Sequence, residues 1–249
     1  MGSGMNGRLD DRVAIVTGGA GVIGSAIAER FCREGARVVI ADLDTSRQAD
    51  FIERLNIPDP GRVTFIETNA RDDGQVRELV NRVVAERGRL DILVATVGGS
   101  KDALIHKMTD EQWDQVMDLN LRATFLACRA AVPPMIERQY GKIVLISSRS
   151  YLGNIGQVNY SAAKAGLIGF TSSLAREMAR HHVNVNCVVP GFIDNPRLAT
   201  MPEKYRQMRI ELNPFQDLAT PGDVADAILF LASDESRQVT GQALRVACW

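Results

Sequence analysis

The chain has 249 residues, 29 of them Lys or Arg and 30 Asp or Glu, for a net charge of −1, and 45% of it is hydrophobic. With no basic stripe, that balance argues against a nucleic-acid partner held by phosphate neutralisation. No run of about eighteen apolar residues could span a bilayer and no secretory pattern opens the chain, so the expectation is a cytoplasmic protein away from membranes, with one large core.

Residues 1–10 are expected to be disordered, Met1 to Gly4 being an appendage ahead of a second methionine. Arg12 to Val16 (RVAIV) reads as a short buried strand, followed by TGGAGVIG from Thr17 to Gly24 and an amphipathic helix stopped at Gly35. Strand, glycine turn and helix in that order suit a pyrophosphate. Gly18, Gly21 and Gly24 permit positive φ and close approach of backbone amides, and the positive end of the helix attracts phosphate. A second strand, RVVIA, ends in Asp42, 18 residues beyond Gly24. A carboxylate there accepts hydrogen bonds from an adenosine ribose diol and repels a 2′-phosphate, so NAD is expected over NADP. Arg47 is the nearby cation that could rescue phosphate binding.

Apolar runs place strands at 12–17, 36–41, 62–67, 91–95, 142–147, 183–189 and 243–247, with helical stretches between them. Without clean alternation they suit a parallel sheet buried on both faces. The expected fold class is therefore α/β: a single Rossmann-type doubly wound domain over 1–249, with about seven strands flanked by helices. Ligands in such a sheet gather at the carboxyl ends of the strands, where the motif glycines, Ser148 and Pro190 all fall.

The run KIVLI ends in Ser147-Ser148, and NYSAAKAGLIGF then carries Tyr160 and Lys164 four residues apart. A helix over 159–178 puts phenol and ammonium on one face. Most such pairs are a tyrosine at a helix edge beside a solvated lysine, so the rest of the chain has to decide. A free tyrosine titrates near ~10, and each unit of depression needs roughly 1.4 kcal/mol of preferential stabilisation of phenolate. Lys164 and a cationic oxidised nicotinamide are the expected sources. Neighbouring serines point opposite ways along a strand, so only one of Ser147 and Ser148 faces the cleft.

Residues 195–217 form the least regular stretch, with Pro196, Pro202 and Pro214 and a short amphipathic piece at 203–212. It reads as a substrate lid whose Leu198, Met201, Met208 and Phe215 make an apolar wall. Arg149 and Tyr151 are placed to touch substrate, Arg149 offering a grip on a carboxylate or phosphate. Cys32, Cys128, Cys187 and Cys248 are scattered and read as reduced packing residues. With His106, His181 and His182 also unclustered, no metal site is expected.

Four features in order, over about 180 residues, resemble the short-chain dehydrogenase/reductase family in its 3-oxoacyl reductase-like branch. They are the TGGAGVIG turn, Asn120 in DLNLRATF, Ser148 with Tyr160 and Lys164, and PGFIDNP at 190–196. The resemblance implies that Tyr160 is the general acid–base, that Lys164 binds the nicotinamide ribose and lowers the phenol pKa, and that Ser148, favoured over Ser147 by family position, orients the reacting oxygen. Asn120 would hold a proton-relaying water. Cofactor contacts would come from Gly18, Gly21, Ile23 and Gly24 at the pyrophosphate, and from Asp42, Asn69, Ala70 and Gly98 around adenosine. Pro190, Gly191 and Ile193 would lie along the nicotinamide, Ile193 fixing the carboxamide through its backbone.

Departures from the family pattern are Val22 where glycine is usual, Ala95-Thr96 in place of two bracing amides, and Asn69 where aspartate is common. These imply altered cofactor affinity rather than lost chemistry. Family members pair helices across two-fold axes, which here implies a homotetramer built on Phe125, Leu126, Leu167, Phe170 and Leu174. The altered ending Ala247-Cys248-Trp249 keeps a dimer open. The implied activity is metal-free hydride transfer between a nicotinamide cofactor and a secondary alcohol or ketone. The alternatives are a 3-oxoacyl thioester (ACP or CoA) reductase, which Asp42 counts against, and a non-catalytic dinucleotide-binding regulator.

Overall fold

The computed structural model describes residues 7–44, 52–53, 59–213 and 215–247; Arg47, Pro214, Cys248 and Trp249 lie outside them. Seven strands form one sheet: β1 Val13–Thr17, β2 Arg37–Asp42, β3 Val63–Glu67, β4 Ile92–Ala95, β5 Gly141–Ile146, β6 Val183–Pro190 and β7 Ala243–Val246. Every pairing is parallel and the order is β3-β2-β1-β4-β5-β6-β7, so the winding reverses between β1 and β4. A crevice opens at that reversal, above the carboxyl ends of the strands. Each expected strand is present within one residue at either end, and the doubly wound reading holds.

Alternate residues of each strand feed two apolar layers. Ala14, Val16, Val38, Ile40 and Val144 face α1 (Val22–Arg33) on one side, with Ile27 and Phe31 among the partners. Val13, Ile15, Val39, Leu93 and Ile143 face α2 (Asp73–Arg87) on the other, with Val76 and Leu79. The helix ends follow from local chemistry. The Asp72 carboxylate caps α2 by accepting from the Gln75 amide at 3.1 Å, and Gly88 ends it at φ 73°, a conformation that favours glycine.

Beyond α2 come α3 Asp110–Met117 and α4 Ala123–Arg138, joined through a single π turn at Asp118–Arg122, and then α5 Val158–Met178. α5 is the helix expected at 159–178. Two short helices, α6 Pro196–Ala199 and α7 Glu203–Glu211, precede α8 Pro221–Ala232, which packs beside α1. A reciprocal capping box between Thr220 and Asp223, with proline in the first turn, fixes the start of α8.

Two expectations fail. Residues 7–10 are ordered: Leu9 is 1% exposed and its amide donates to the Glu34 carbonyl at 3.0 Å, because the segment plugs the foot of the α1 layer. Leu126 and Leu167 do not face outward. Both are core residues under the sheet, while Phe125 stands 39% exposed. Among the described residues, no helix is long and apolar enough to cross a membrane.

Candidate active site

A cleft of about 1210 Å³ lies over the reversal point, lined by Gly18, Gly21, Ile23, Gly24, Asp42, Asn69, Ala70, Gly98, Ser148, Tyr160, Gly191 and Ile193. A hollow of about 300 Å³ continues from it and adds Lys164 and Pro190. One expected site residue, Asn120, lines neither. It is fully buried behind Gly99, accepting from the Gly99 amide at 3.2 Å and donating to the Gly99 and Val116 carbonyls at 2.8 Å each. Its side chain is spent on locking the loop after β4 against the π turn.

The glycine turn is more differentiated than its motif suggests. Only Gly18 takes a positive φ, of 67°; Gly21 is an extended N-cap at φ −72°. Gly24 is needed for space, since a Cβ there would stand 2.4 Å from the Gly18 carbonyl oxygen. Gly19, which the sequence reading passed over, is equally confined: its Cβ would meet Ile40 Cγ2 and the Val16 carbonyl at 2.9 Å. Gly21 offers no side-chain cap, so the first-turn amides of α1 remain available to an anion.

Thr96 makes good one departure. Its Oγ1 donates to the Thr17 carbonyl at 2.7 Å and lies 3.1 Å from the Gly18 carbonyl, bracing β4 against the turn as an amide would. Asp42 Oδ2 accepts from the Ala20 amide at 3.1 Å, tying the end of β2 to the same turn. Asn69 Oδ1 already accepts from the Arg71 amide at 3.1 Å, leaving one lone-pair direction for an adenine amino group. Gly98 lets the cleft wall come close, since a Cβ would stand 2.6 Å from Asn120 Oδ1 and 3.2 Å from Lys164 Nζ. A crowded turn, open helix amides and a carboxylate one strand away fit a dinucleotide.

At the other end Ser148 and Tyr160 line the same hollow, with the Ser148 hydroxyl near enough to the phenol to act on its proton and accepting from the Ser150 amide at 3.2 Å. Ser147 points away and donates to the Lys164 carbonyl at 2.8 Å, so alternation along the strand assigns the cleft to Ser148. The expected acidification of Tyr160 is absent in the protein alone. Burial raises its pKa, with only partial relief from the nearby Ser148 hydroxyl and a further push upward from the Asp102 carboxylate. Lys164 Nζ lies 5.5 Å from the phenol ring centroid and donates to the Ile146 carbonyl at 2.8 Å; burial lowers its own pKa to about 8. The resting pair is thus a protonated phenol beside a weakened ammonium.

The lid wall differs from the expected one. Met208, Arg209 and Leu212 of the α7 region face the cleft, and Leu198 reaches the smaller hollow. Phe215 is 81% exposed, and Met201 lines neither cavity; its sulfur accepts from Arg209 Nη1 at 3.0 Å. Tyr151 also turns away, its hydroxyl taken by Arg245. Arg149 and Arg209 both lie over the ring of Phe192, at 5.2 and 4.8 Å from its centroid, an arrangement with no sequence signal.

Dinucleotide-sized space running straight into a hollow that gathers a serine, a tyrosine and a lysine marks a nicotinamide-dependent oxidoreductase of the doubly wound class. The family model described as enoyl-(acyl carrier protein) reductase matches residues 18–248. The 3-oxoacyl-[acyl-carrier-protein] reductase FabG of Thermotoga maritima is 40% identical over 96% of this chain and 97% of its own. The (2S)-[(R)-hydroxy(phenyl)methyl]succinyl-CoA dehydrogenase subunit BbsD of Thauera aromatica is 39% identical, covering 96% of each. Among solved structures, a Burkholderia xenovorans protein assigned to the short-chain dehydrogenases/reductases superposes with a TM-score of 0.89 at 38% identity, over 96% of both chains. The chain belongs to the short-chain dehydrogenase/reductase family and is an oxidoreductase; the regulator alternative finds no support beside relatives named as enzymes.

Proposed function

We propose that the protein transfers a hydride reversibly between a nicotinamide cofactor, NAD by preference, and the carbon of a secondary alcohol or ketone, with Tyr160 as general acid–base. The observation that carries this reading is the meeting of Ser148, Tyr160 and Lys164 in one hollow with Pro190 and Ile193. Bound reduced nicotinamide supplies the hydride. In that direction the Ser148 hydroxyl donates to the carbonyl oxygen, holds it against Tyr160, and stabilises the charge that grows there. Tyr160, kept protonated by burial, then gives its proton to that oxygen. Lys164 donates from its ammonium to the Ile146 carbonyl at the wall of the hollow, where it would hold the nicotinamide ribose hydroxyls.

First-turn amides of α1 receive the pyrophosphate. Asp42 receives the adenosine ribose, and its charge beside the glycine turn disfavours a 2′-phosphate, which supports NAD over NADP. Gly191 and Ile193 flank the ring, although the Ile193 carbonyl is already engaged by Asn195 Nδ2 at 2.7 Å, leaving the amide as the more available contact for a carboxamide. Residues 195–217 act as the substrate lid. A 3-oxoacyl thioester is the second substrate reading, supported by the name of the Thermotoga maritima relative. Among the described residues, Cys32, Cys128 and Cys187 are free and buried, which supports a reducing, cytoplasmic setting, and exposed Phe125 supports pairing into a homotetramer or dimer.

The test is Tyr160→Phe. The variant should bind NADH within about threefold of the wild type and lose turnover by about a thousandfold, read by fluorescence titration and by NADH oxidation over a ketone panel. Retained turnover rejects the role of Tyr160.

A further inference from the structure

We propose that Arg149 and Arg209, stacked on Phe192, form an anion-binding pair for a carboxylate of the substrate, so that the preferred substrate is an oxo or hydroxy acid rather than a neutral ketone. This rests on the reading of Ser148 and Tyr160 as the reacting pair. Three segments converge to build the feature. Arg149 follows Ser148 directly, Phe192 comes from the turn after β6, and Arg209 is carried by the lid helix α7. Both guanidinium carbons lie within 5.2 Å of one ring centroid, and both side chains line the cleft. Arg209 also lines the 300 Å³ hollow that holds Ser148, Tyr160 and Lys164.

Charge in the cleft is one-sided. Among the described residues its lining cations are Arg71, Lys101, Arg149 and Arg209, whereas the one lining carboxylate, Asp42, sits at the glycine-turn end. The Asp102 carboxylate, which acts on Tyr160 from outside the lining, already accepts from Gln157 Nε2 at 2.9 Å. An aromatic face attracts each guanidinium, but two cations against one ring repel one another, and an anion between them relieves that. Guanidinium forks match a carboxylate in two parallel hydrogen bonds, which an ammonium cannot. The thioether of Met201, the sulfur 3.0 Å from Arg209 Nη1, is a weak acceptor that a carboxylate oxygen displaces. Because Arg149 adjoins Ser148, the carboxylate sits a short distance from the reacting carbonyl, as in a short-chain oxo acid.

The same cations could meet the phosphates of a thioester carrier or of the dinucleotide, so the experiment separates the three. Reduction of acetoacetate, methyl acetoacetate, acetoacetyl-CoA and S-acetoacetyl-N-acetylcysteamine is measured with NADH for the wild type, Arg209→Gln and Arg149→Gln/Arg209→Gln. The expected result is a kcat/KM for acetoacetate at least tenfold above that for its methyl ester, a ratio that falls at least tenfold in the double variant and partway in the single one. A general structural defect would lower both substrates together and leave the ratio unchanged. An unchanged ratio overturns the proposal, as does a charge preference seen only for the CoA ester over the cysteamine ester. A tenfold loss of NADH affinity with the ratio intact also overturns it and assigns the pair to the cofactor. Calorimetry with malonate reads the site without turnover. Malonate binding that disappears in the double variant supports the pair even if no ketone is reduced, which would fault the catalytic reading alone. Absence of malonate binding to the wild type counts against the pair itself.

Discussion

Thr96→Val removes one hydroxyl and little else, which makes it a clean probe of how the nucleotide end is held. The hydroxyl reaches two carbonyls, Thr17 at 2.7 Å and Gly18 at 3.1 Å, while the Thr96 backbone amide keeps its own bond to Thr17 at 3.1 Å. A neutral hydrogen bond nets about 0.5–1.5 kcal/mol, so releasing this shared donor should cost about 1–2 kcal/mol. In a chain of this size each kcal/mol moves the melting temperature by about 2–4 °C, giving a drop of about 2–8 °C in a thermal melt. Thr96→Ser keeps the hydroxyl and should melt within about 2 °C of the wild type. With the Gly18 carbonyl released, the amides at the start of α1 lose their alignment, and the KM for NADH should rise severalfold in the valine variant only. A valine variant that melts with the wild type, or a serine variant that melts as low as the valine one, refutes the bracing role.

The turn glycines should separate in the same way. Gly24→Ala drives a Cβ into backbone 2.4 Å away and should cost roughly 1–3 kcal/mol in urea denaturation with at least tenfold weaker NADH binding, whereas Gly21→Ala, with its closest neighbour at 3.3 Å, should cost under about 1 kcal/mol; equal losses would mean that crowding is not what selects glycine. Asp42→Ala should shift the kcat/KM ratio of NAD to NADP toward NADP by about tenfold, and an unmoved ratio would dismiss Asp42 as the discriminator. Lys142 is 2% exposed, with Nζ bonded to Asn184 Oδ1 at 2.9 Å, and burial lowers its pKa to about 8. Between about 8 and the ordinary 10.5 the unfolded lysine binds a proton that the folded one has lost, so this group's contribution to stability rises with pH across that window. The stability difference between wild type and Lys142→Met should therefore change in favour of the wild type from pH 8 to 10.5, and a difference flat with pH would mean that Lys142 titrates normally.

The architecture was legible because its signals are local. Apolar runs such as RVAIV and KIVLI mark strands buried on both faces, and the i,i+4 spacing of Tyr160 and Lys164 survives any detail of packing. Strand alternation said that only one of Ser147 and Ser148 faces the cleft, and the family resemblance chose Ser148. What stayed hidden depends on distance across the fold. The hydroxyl of Thr96 substitutes for an amide only because β4 lies beside β1, and Arg149, Phe192 and Arg209 meet only once α7 is placed against the turn after β6. Leu126 and Leu167 sit on helices apolar enough all round that sequence could not say which side faces the sheet. The upward push on the Tyr160 pKa in the protein alone was hidden for a related reason: proximity in sequence points to charge–charge help from Lys164, while desolvation, a property of the whole surround, dominates without the cofactor.

The π turn at Asp118–Arg122 inserts one residue into what would otherwise be a continuous helix from α3 to α4. Each residue advances an α-helix by about 100°, so deleting one here would regularise the hydrogen bonding while rotating everything upstream or downstream by that angle. Asn120 would swing off Gly99, or α4 would present the wrong stripe to the sheet. This helix should therefore tolerate many single exchanges along its length, yet no change of length within those five positions.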